Sequence, residues 1–321
     1  MQWLLHVGTT KTGSKAIQQF LATAAGTLNL PRVAFPRTGR GSGIWHEDLF
    51  YSLEAGCCDL LTGAKHEATA AGADHAILSY EGFYQLSLDS IARIKNTLGP
   101  ARVLLFVRRQ DSHANSWYNQ LIKAHRVTFA EIEEYEDGIS AYDPAIDHLA
   151  TIERWSAVFG AEAIQPVVYD KSRSSVDVLL QALHIDTPAG SQPARNPNSA
   201  LTPALAATLR GLKELVGDTP RLPEIVETFH QEHAAEFMDT YAGGIAYLID
   251  PSMRTAIMDN YGRSNERVRA CYFPERESLF GALPPGGEAT LDLERGREEA
   301  RRFLRMHFAP DLVRRQTSGV A

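Results

Sequence analysis

The sequence is poor in the features that mark secreted and membrane-spanning proteins. Only 3 of its 321 residues are cysteine, and Cys57 and Cys58 are adjacent while Cys271 is distant, which gives neither a disulfide framework nor a paired C-x-x-C metal motif. The longest apolar runs are short, and no basic start precedes a long apolar stretch at the N-terminus. We therefore expect a protein of the reducing cytoplasm, without integral membrane association.

The composition is that of an ordinary globular protein, with 44% hydrophobic residues, 24 glycines and 16 prolines. The 32 lysines and arginines against 39 aspartates and glutamates give a net charge of −7. Because a surface of this sign repels nucleic acid and anionic lipid, we expect neither as a partner. Any site for an anion should be a local basic pocket.

Strand and helix patterns alternate along the first part of the chain. Short apolar runs at 3–7, 76–78, 103–107 and 164–168 read as strands, and apolar residues at helical spacing follow each of them. This alternation predicts an α/β fold with a central parallel sheet flanked by helices. We expect an α/β core over 1–186, a linker or surface loop at 187–203, and a mainly helical region over 204–321 packed on the core as one domain.

The loop after the first strand has the composition of an anion site. It runs from Gly8 to Lys15, with two lysines and several hydroxyl side chains directly before a helix. Backbone N–H groups at a helix start and the helix dipole favour a phosphate or sulfate there. The alternative is a glycine- and threonine-rich turn with solvated lysines. A Walker A loop is disfavoured because Lys15 follows Ser14, the reverse of the order which that motif needs.

A second basic loop follows the strand 103–107, where Arg108 and Arg109 come directly after the last apolar residue. Ligands of parallel α/β sheets bind beyond the carboxyl ends of the strands, so both loops can face one ligand. The alternative is a charged helix face beside the sheet.

Three segments in this order resemble sulfotransferases that use 3′-phosphoadenosine 5′-phosphosulfate (PAPS), in particular a bacterial branch. They are 11–14, similar to the family's K-[ST]-G-[ST]-T loop, Arg108 with Ser116 eight residues on, and 167–170, similar to its Y-E-D segment. The resemblance implies the P-loop-like sulfotransferase fold, with the helical region shaping the acceptor pocket. It also implies a cofactor-binding set of Lys11, Thr12, Gly13, Ser14 and Lys15 for the phosphosulfate, Arg108 and Ser116 for the 3′-phosphate, and Tyr169 for the adenine. Lys15 replaces the family's usual threonine.

The same resemblance implies transfer of a sulfuryl group without a metal ion. The acceptor would be a hydroxyl or amine of a carbohydrate, lipid headgroup or small natural product. Lys11 would place its charge on the bridging oxygen, and Glu81 would be the general base, since related enzymes carry a catalytic His or Glu at this place. An ordinary helix-capping role is the alternative for Glu81. His46 is the second candidate base, with a structural or exposed loop histidine as its alternative.

Two other functions are alternatives to this prediction, and the sequence contains one possible metal motif. A Mg²⁺-dependent P-loop kinase or hydrolase would use Asp170 as its Walker B acid, and a catalytically silent protein would bind the nucleotide without transfer. His230 and His233 lie three residues apart near Glu227 and Glu236, but the sequence identifies no third ligand. A solvated polar helix face is the preferred interpretation of that motif.

Overall fold

The computed structural model describes residues 1–27, 33–185, 201–234, 246–281, 287–288 and 291–308. The chain divides into two compact units, each assembled from separate stretches. The first comprises Met1–Arg108, Asp143–Asn196 and Tyr261–Phe280, and the second comprises Arg109–Tyr142, Pro197–Asn260 and Gly281–Ala321. Most of the predicted linker at 187–203 lies outside the described residues, so the predicted division there stays a prediction.

A five-stranded sheet forms the centre of the first unit, with strand order β2-β3-β1-β4-β5. Its strands are β1 (Gln2–His6), β2 (Val33–Ala34), β3 (His75–Ser79), β4 (Ala101–Val107) and β5 (Ile164–Val168). Every neighbouring pair is parallel. The predicted α/β class with a central parallel sheet is therefore confirmed. Strand β2 was not predicted, because two residues are too few to show a period.

Helices cover the sheet of the first unit. They are α1 (Ser14–Thr27), α2 (Glu47–Glu54), α3 (Asp59–Ala70), α4 (Leu88–Leu98), α7 (His148–Phe159), α8 (Ser175–Ala182) and α12 (Gly262–Tyr272), with a 3-10 turn at Glu81–Gln85. Side chains from α1 and α8, Ile17 and Leu179 among them, pack against Leu4, Ile77 and Leu104 of the sheet. This burial holds the start of α1 at the carboxyl ends of the strands.

The second unit is mainly helical. It contains α5 (Gln110–Lys123), α6 (Phe129–Gly138), α9 (Pro203–Val216), α10 (Leu222–Glu232), α11 (Pro251–Asn260) and α13 (Leu293–His307), with a parallel pair of short strands, β6 (Ala246–Tyr247) and β7 (Gly287–Glu288). A Cβ on Gly296 of α13 would stand 2.5 Å from the backbone of Ala207 in α9, so glycine permits the close approach of these helices. The predicted mainly helical C-terminal region is confirmed. None of the described helices is both long and apolar enough to cross a membrane.

Candidate anion site at the carboxyl edge of the parallel sheet

The loop from Gly8 to Lys15 is anchored to strand β4 before it enters helix α1. The backbone N–H of Phe106 donates to the carbonyl oxygen of Gly8 at 2.7 Å, and the N–H of Thr9 donates back to the carbonyl oxygen of Phe106 at 3.2 Å. Within the loop, the hydroxyl of Thr12 donates to the carbonyl oxygen of Thr9 at 2.6 Å. The loop therefore has a defined shape before any ligand binds.

Two glycines make this shape possible. Gly13 has φ +87°, and a Cβ there would stand 2.3 Å from Oγ of Ser175, the first residue of α8. The same Ser175 hydroxyl donates to the carbonyl oxygen of Thr12 at 2.8 Å. Gly8 has φ +108°, and a Cβ there would stand 2.5 Å from the carbonyl oxygen of Glu81. Both positions therefore exclude a side chain.

The loop ends at the first turn of α1, where the side chain of Ser14 is buried. The N–H groups of Ala16 and Ile17 donate to the carbonyl oxygen of Gly13 at 3.0 and 3.3 Å, which closes the first turn. Ser14 is only 4% exposed, and its Oγ has no hydrogen-bond partner among the described residues. The N–H groups of a first helical turn have no intrahelical acceptor and carry partial positive charge. An anion here would meet a hydroxyl donor and a helix N-terminus together.

Arg108 lies directly against this loop. Its guanidinium donates to the carbonyl oxygen of Lys11, and its Cζ stands 5.3 Å from the ring centroid of Tyr169. Lys11 itself has φ +62°, a conformation that is uncommon outside glycine and is found at functional loops. The structure thus brings together Lys11, Arg108 and Tyr169, which the sequence places far apart.

A buried histidine that the sequence analysis missed fixes the backbone of Arg108. Nε2 of His148 lies 3.1 Å from the backbone nitrogen of Arg108 and 2.7 Å from its carbonyl oxygen. Burial lowers the pKa of His148, which favours the neutral ring in this position. His148 is the first residue of α7, and no motif in the sequence links it to the arginine.

A second cationic residue, Lys171, follows strand β5 and was not predicted from the sequence. Desolvation by the surrounding protein and then the positive charge of Arg108 lower the pKa of Lys171 to about 8. Burial raises the pKa of the neighbouring Tyr169, which therefore stays an uncharged phenol at neutral pH. Asp170 is exposed and accepts hydrogen bonds from the backbone and hydroxyl of Ser172, both at 2.8 Å. Both contacts go to Oδ1 of the carboxylate that a Walker B role would use.

Glu81 lies where β3 ends, in the first position of the 3-10 turn Glu81–Gln85. Its Oε2 accepts a hydrogen bond from Nε2 of Gln18 at 2.8 Å. Gln18 is fully buried on α1, and its Oε1 has no partner among the described residues. Because Gln18 belongs to the helix that the anion loop opens, this hydrogen bond places the Glu81 carboxylate beside the loop. The sequence signal for this contact was a polar glutamine among the apolar residues of α1.

His46 is enclosed in a different environment from Glu81. The N–H of Ser79 donates to its Nδ1 at 3.1 Å, and its Nε2 donates to the carbonyl oxygen of Pro36 at 3.1 Å, which assigns the neutral Nε2–H tautomer. Burial, with the charge of Arg40 second, lowers the pKa of His46 to about 4. The ring is fully buried. These contacts describe a packing histidine and do not support the predicted catalytic role.

The remaining predicted site residues are Lys15 and Ser116. Lys15 is exposed on the first turn of α1. Ser116 is half-buried in α5, which belongs to the second unit, so its contact with the 3′-phosphate stays a prediction. Arg109 also belongs to the second unit, where it pairs with Asp111 at 3.1 Å and donates to the carbonyl oxygen of Gly281 at 2.5 Å.

The solved structures that are similar to this chain include a sulfotransferase. No protein-family model matches the chain, and no curated protein matches it. A solved structure described as a sulfotransferase from Alicyclobacillus acidocaldarius is 15% identical, with a TM-score of 0.38, over 84% of this chain and 95% of that chain. The function is therefore inferred from the residues of this chain.

Proposed function

We propose that this protein is a cytoplasmic sulfotransferase that moves a sulfuryl group from PAPS to a hydroxyl or amine. The acceptor would belong to a carbohydrate, a lipid headgroup or a small natural product. The observation that carries the proposal is the convergence of the glycine-bearing loop, Arg108 and Glu81 in one unit, at the carboxyl ends of β1, β4 and β3. This is the edge at which parallel α/β sheets bind ligands.

The residues of the loop fit a doubly charged donor. Gly8 and Gly13 leave no room for side chains, and the buried hydroxyl of Ser14 has no protein partner among the described residues. A phosphate oxygen is the acceptor that such a hydroxyl and the first-turn N–H groups of α1 prefer. Arg108 and Lys171 add positive charge beside Tyr169, which suits a 3′-phosphate next to an adenine ring.

Positioning and electrostatics would supply most of the rate enhancement. The bound donor contributes an activated sulfuryl group. Lys11 and the N-terminus of α1 stabilise the negative charge that develops on the leaving phosphate. Glu81, oriented by Gln18, accepts the proton of the acceptor hydroxyl. We assign His46 no part in this reaction, because both its ring nitrogens are engaged by backbone groups.

Titration calorimetry with 3′-phosphoadenosine 5′-phosphate tests the donor site. Arg108→Ala should weaken binding by about 1.5–3 kcal/mol, as expected for hydrogen bonds to a charged group, and Ser116→Ala should weaken it less. Arg102→Ala is the matched control, because it removes the same charge from the opposite end of strand β4. Equal affinity of the Arg108→Ala and wild-type proteins would contradict the assignment of the donor site.

Transfer from radiolabelled PAPS to a panel of hydroxyl and amine acceptors tests the chemistry. Glu81→Gln should lower kcat about 100-fold or more while the affinity for the desulfonated nucleotide stays unchanged. Glu162→Gln, an exposed carboxylate of the same unit, is the control. ATP turnover that requires Mg²⁺ would instead indicate a P-loop kinase or hydrolase. Nucleotide binding without transfer to any acceptor would indicate the silent protein.

A further inference from the structure

We propose that His125, Glu227 and His230 form a binding site for a divalent transition-metal ion, with zinc as the expected occupant. All three residues belong to the second unit, and the proposal does not depend on sulfuryl transfer. One potential ligand atom from each residue lies within 4.8 Å of the others. Among the described residues, these three form the group of histidine, cysteine or acidic side chains whose potential ligand atoms lie close enough to hold one metal ion.

The distances match a tetrahedral metal shell. Nε2 of His125 lies 3.1 Å from Nδ1 of His230 and 3.5 Å from Oε2 of Glu227. Zinc ligands at about 2.0–2.1 Å in tetrahedral geometry stand about 3.3–3.4 Å from each other. Both measured distances lie within a few tenths of an ångström of that separation. Glu227 and His230 are three residues apart on α10 and therefore project from the same face of the helix.

The tertiary structure changes the interpretation of the histidine motif on α10. His233 is not part of the cluster: its Nδ1 lies 3.0 Å from the carbonyl oxygen of Phe229, and its ring stacks on Phe229 at 4.2 Å. The third ligand is instead His125, from the segment between α5 and α6. No local spacing in the sequence could have identified it.

The segment that carries His125 is held in place from α9. Nζ of the fully buried Lys213 lies within hydrogen-bond distance of three carbonyl oxygens, those of Leu121, Ala124 and Val127, at 3.1, 2.7 and 2.8 Å. Two of these carbonyls flank His125 in the chain. The imidazole is therefore presented on a fixed backbone, as metal ligands usually are.

The carboxylate ligand is oriented as well. Nε2 of Gln231 donates to Oε1 of Glu227 at 2.9 Å, and the opposite oxygen, Oε2, is the one that approaches His125. A hydrogen bond to one carboxylate oxygen fixes the direction of the other, as outer partners of metal ligands do. His125 and Glu227 are therefore both held in place by neighbouring residues.

The chemistry of the ligands selects the class of metal. Two imidazoles and one carboxylate suit zinc, cobalt or nickel, whereas Mg²⁺ and Ca²⁺ prefer oxygen ligands. Lys123 and Lys213 lie near His230, and their positive charges oppose a bound cation, while the Glu227 carboxylate offsets part of that repulsion.

The site is accessible to solvent. The side chains of His125 and Glu227 are 42% and 49% exposed, so solvent water can complete a four-ligand shell. An ion bound here would crosslink the segment between α5 and α6 to α10. We therefore expect a stabilising site that is separate from the anion loop.

Titration calorimetry of the full, untagged chain with Zn²⁺ tests this proposal. We expect one ion per chain for the wild type, and about tenfold or greater loss of affinity for each of His125→Ala and Glu227→Gln. His66→Ala, which removes an exposed histidine from α3, should bind as the wild type does. Zn²⁺ should also raise the melting temperature of the wild type and leave that of His125→Ala unchanged.

Cobalt provides a spectroscopic readout that appears only if the three side chains bind the metal ion directly. Co²⁺ bound to these ligands should show the visible absorption of a four-coordinate ion, and His125→Ala should lose it. Absence of saturable Zn²⁺ binding, retention of binding in both variants, or equal binding of Mg²⁺ would each overturn the proposal. The three side chains would then be a hydrogen-bonded imidazole pair with a neighbouring carboxylate.

Discussion

The buried polar groups beside the anion loop of the first unit differ from the buried charges of the second unit. In the second unit buried charges have partners in the protein: three carbonyl oxygens surround Nζ of Lys213, and Asp111 lies 3.4 Å from Arg254. Beside the anion loop of the first unit, Oγ of Ser14 and Oε1 of Gln18 are buried and have no partner among the described residues.

This difference separates scaffold from binding site. A buried polar group without a hydrogen bond costs free energy, so proteins rarely keep one unless a ligand or water satisfies it. The partnered groups of the second unit stabilise the fold. The unpartnered groups of Ser14 and Gln18 are better explained by a ligand, and their position in the first turns of α1 indicates an anion. Each of the following predictions tests one side of this contrast.

The largest effect should come from removing a compensated buried charge. Lys213→Met leaves three carbonyl oxygens of the segment after α5 without their donor, and we expect a loss of about 3 kcal/mol in the free energy of unfolding. Lys65→Met is the control, because Lys65 donates to one carbonyl and is less buried. Urea denaturation measures both. A loss no greater than that of the control would contradict a scaffold role for Lys213.

Gly13→Ala should strongly weaken nucleotide binding. The added Cβ would stand 2.3 Å from Oγ of Ser175 and force the loop to move, so we expect about 100-fold weaker affinity, or roughly 2.7 kcal/mol. Gly99→Ala is a close control, since Gly99 has φ +85° but nothing within 4 Å of the added atom. Calorimetry on both variants separates the steric effect from backbone strain, and equal affinities would show that the loop shape is unimportant.

Stability should fall in acid partly because of His46. The folded protein lowers its pKa to about 4, while the unfolded chain has the ordinary value near 6.5. The unfolded state therefore binds more protons between these values, and stability present above pH 6.5 is lost as the pH falls toward 4. Urea denaturation at pH 7 and pH 5 should show that His46→Gln reduces this loss by roughly 2 kcal/mol. Exposed His66→Gln should not alter it, and an unchanged slope for His46→Gln would show that the ring charges without cost.

The smallest effect distinguishes a ligand contact most directly. Ser14→Ala removes a buried hydroxyl that has no protein partner among the described residues, so stability should change by less than about 0.5 kcal/mol or increase. Affinity for the nucleotide should nevertheless fall by about 1 kcal/mol. Thermal unfolding and calorimetry on the same sample measure the two quantities. A loss of stability with unchanged affinity would place the hydroxyl in the scaffold.

The main features of the first unit could be predicted because they arise from local patterns. Strand β5 has the predicted bounds, and β1, β3 and β4 were located within two residues, since apolar runs depend on neighbours in the chain. The loop 8–15 and Arg108 were identified because each directly follows a strand. Pairs such as β6 with β7 were beyond prediction, because two-residue strands have no pattern of their own.

The amino-acid order alone determined which chemistry is available: a hydroxyl- and lysine-bearing turn before a helix, and arginines after a buried strand. The tertiary structure alone decided which groups meet. It places Arg108 on the carbonyl oxygen of Lys11, joins Gln18 to Glu81, encloses His46, and brings His125 to α10. These contacts link residues that are distant in the chain, and they form because burial of the sheet and helices fixes where each loop lies. Local sequence carries no record of that packing.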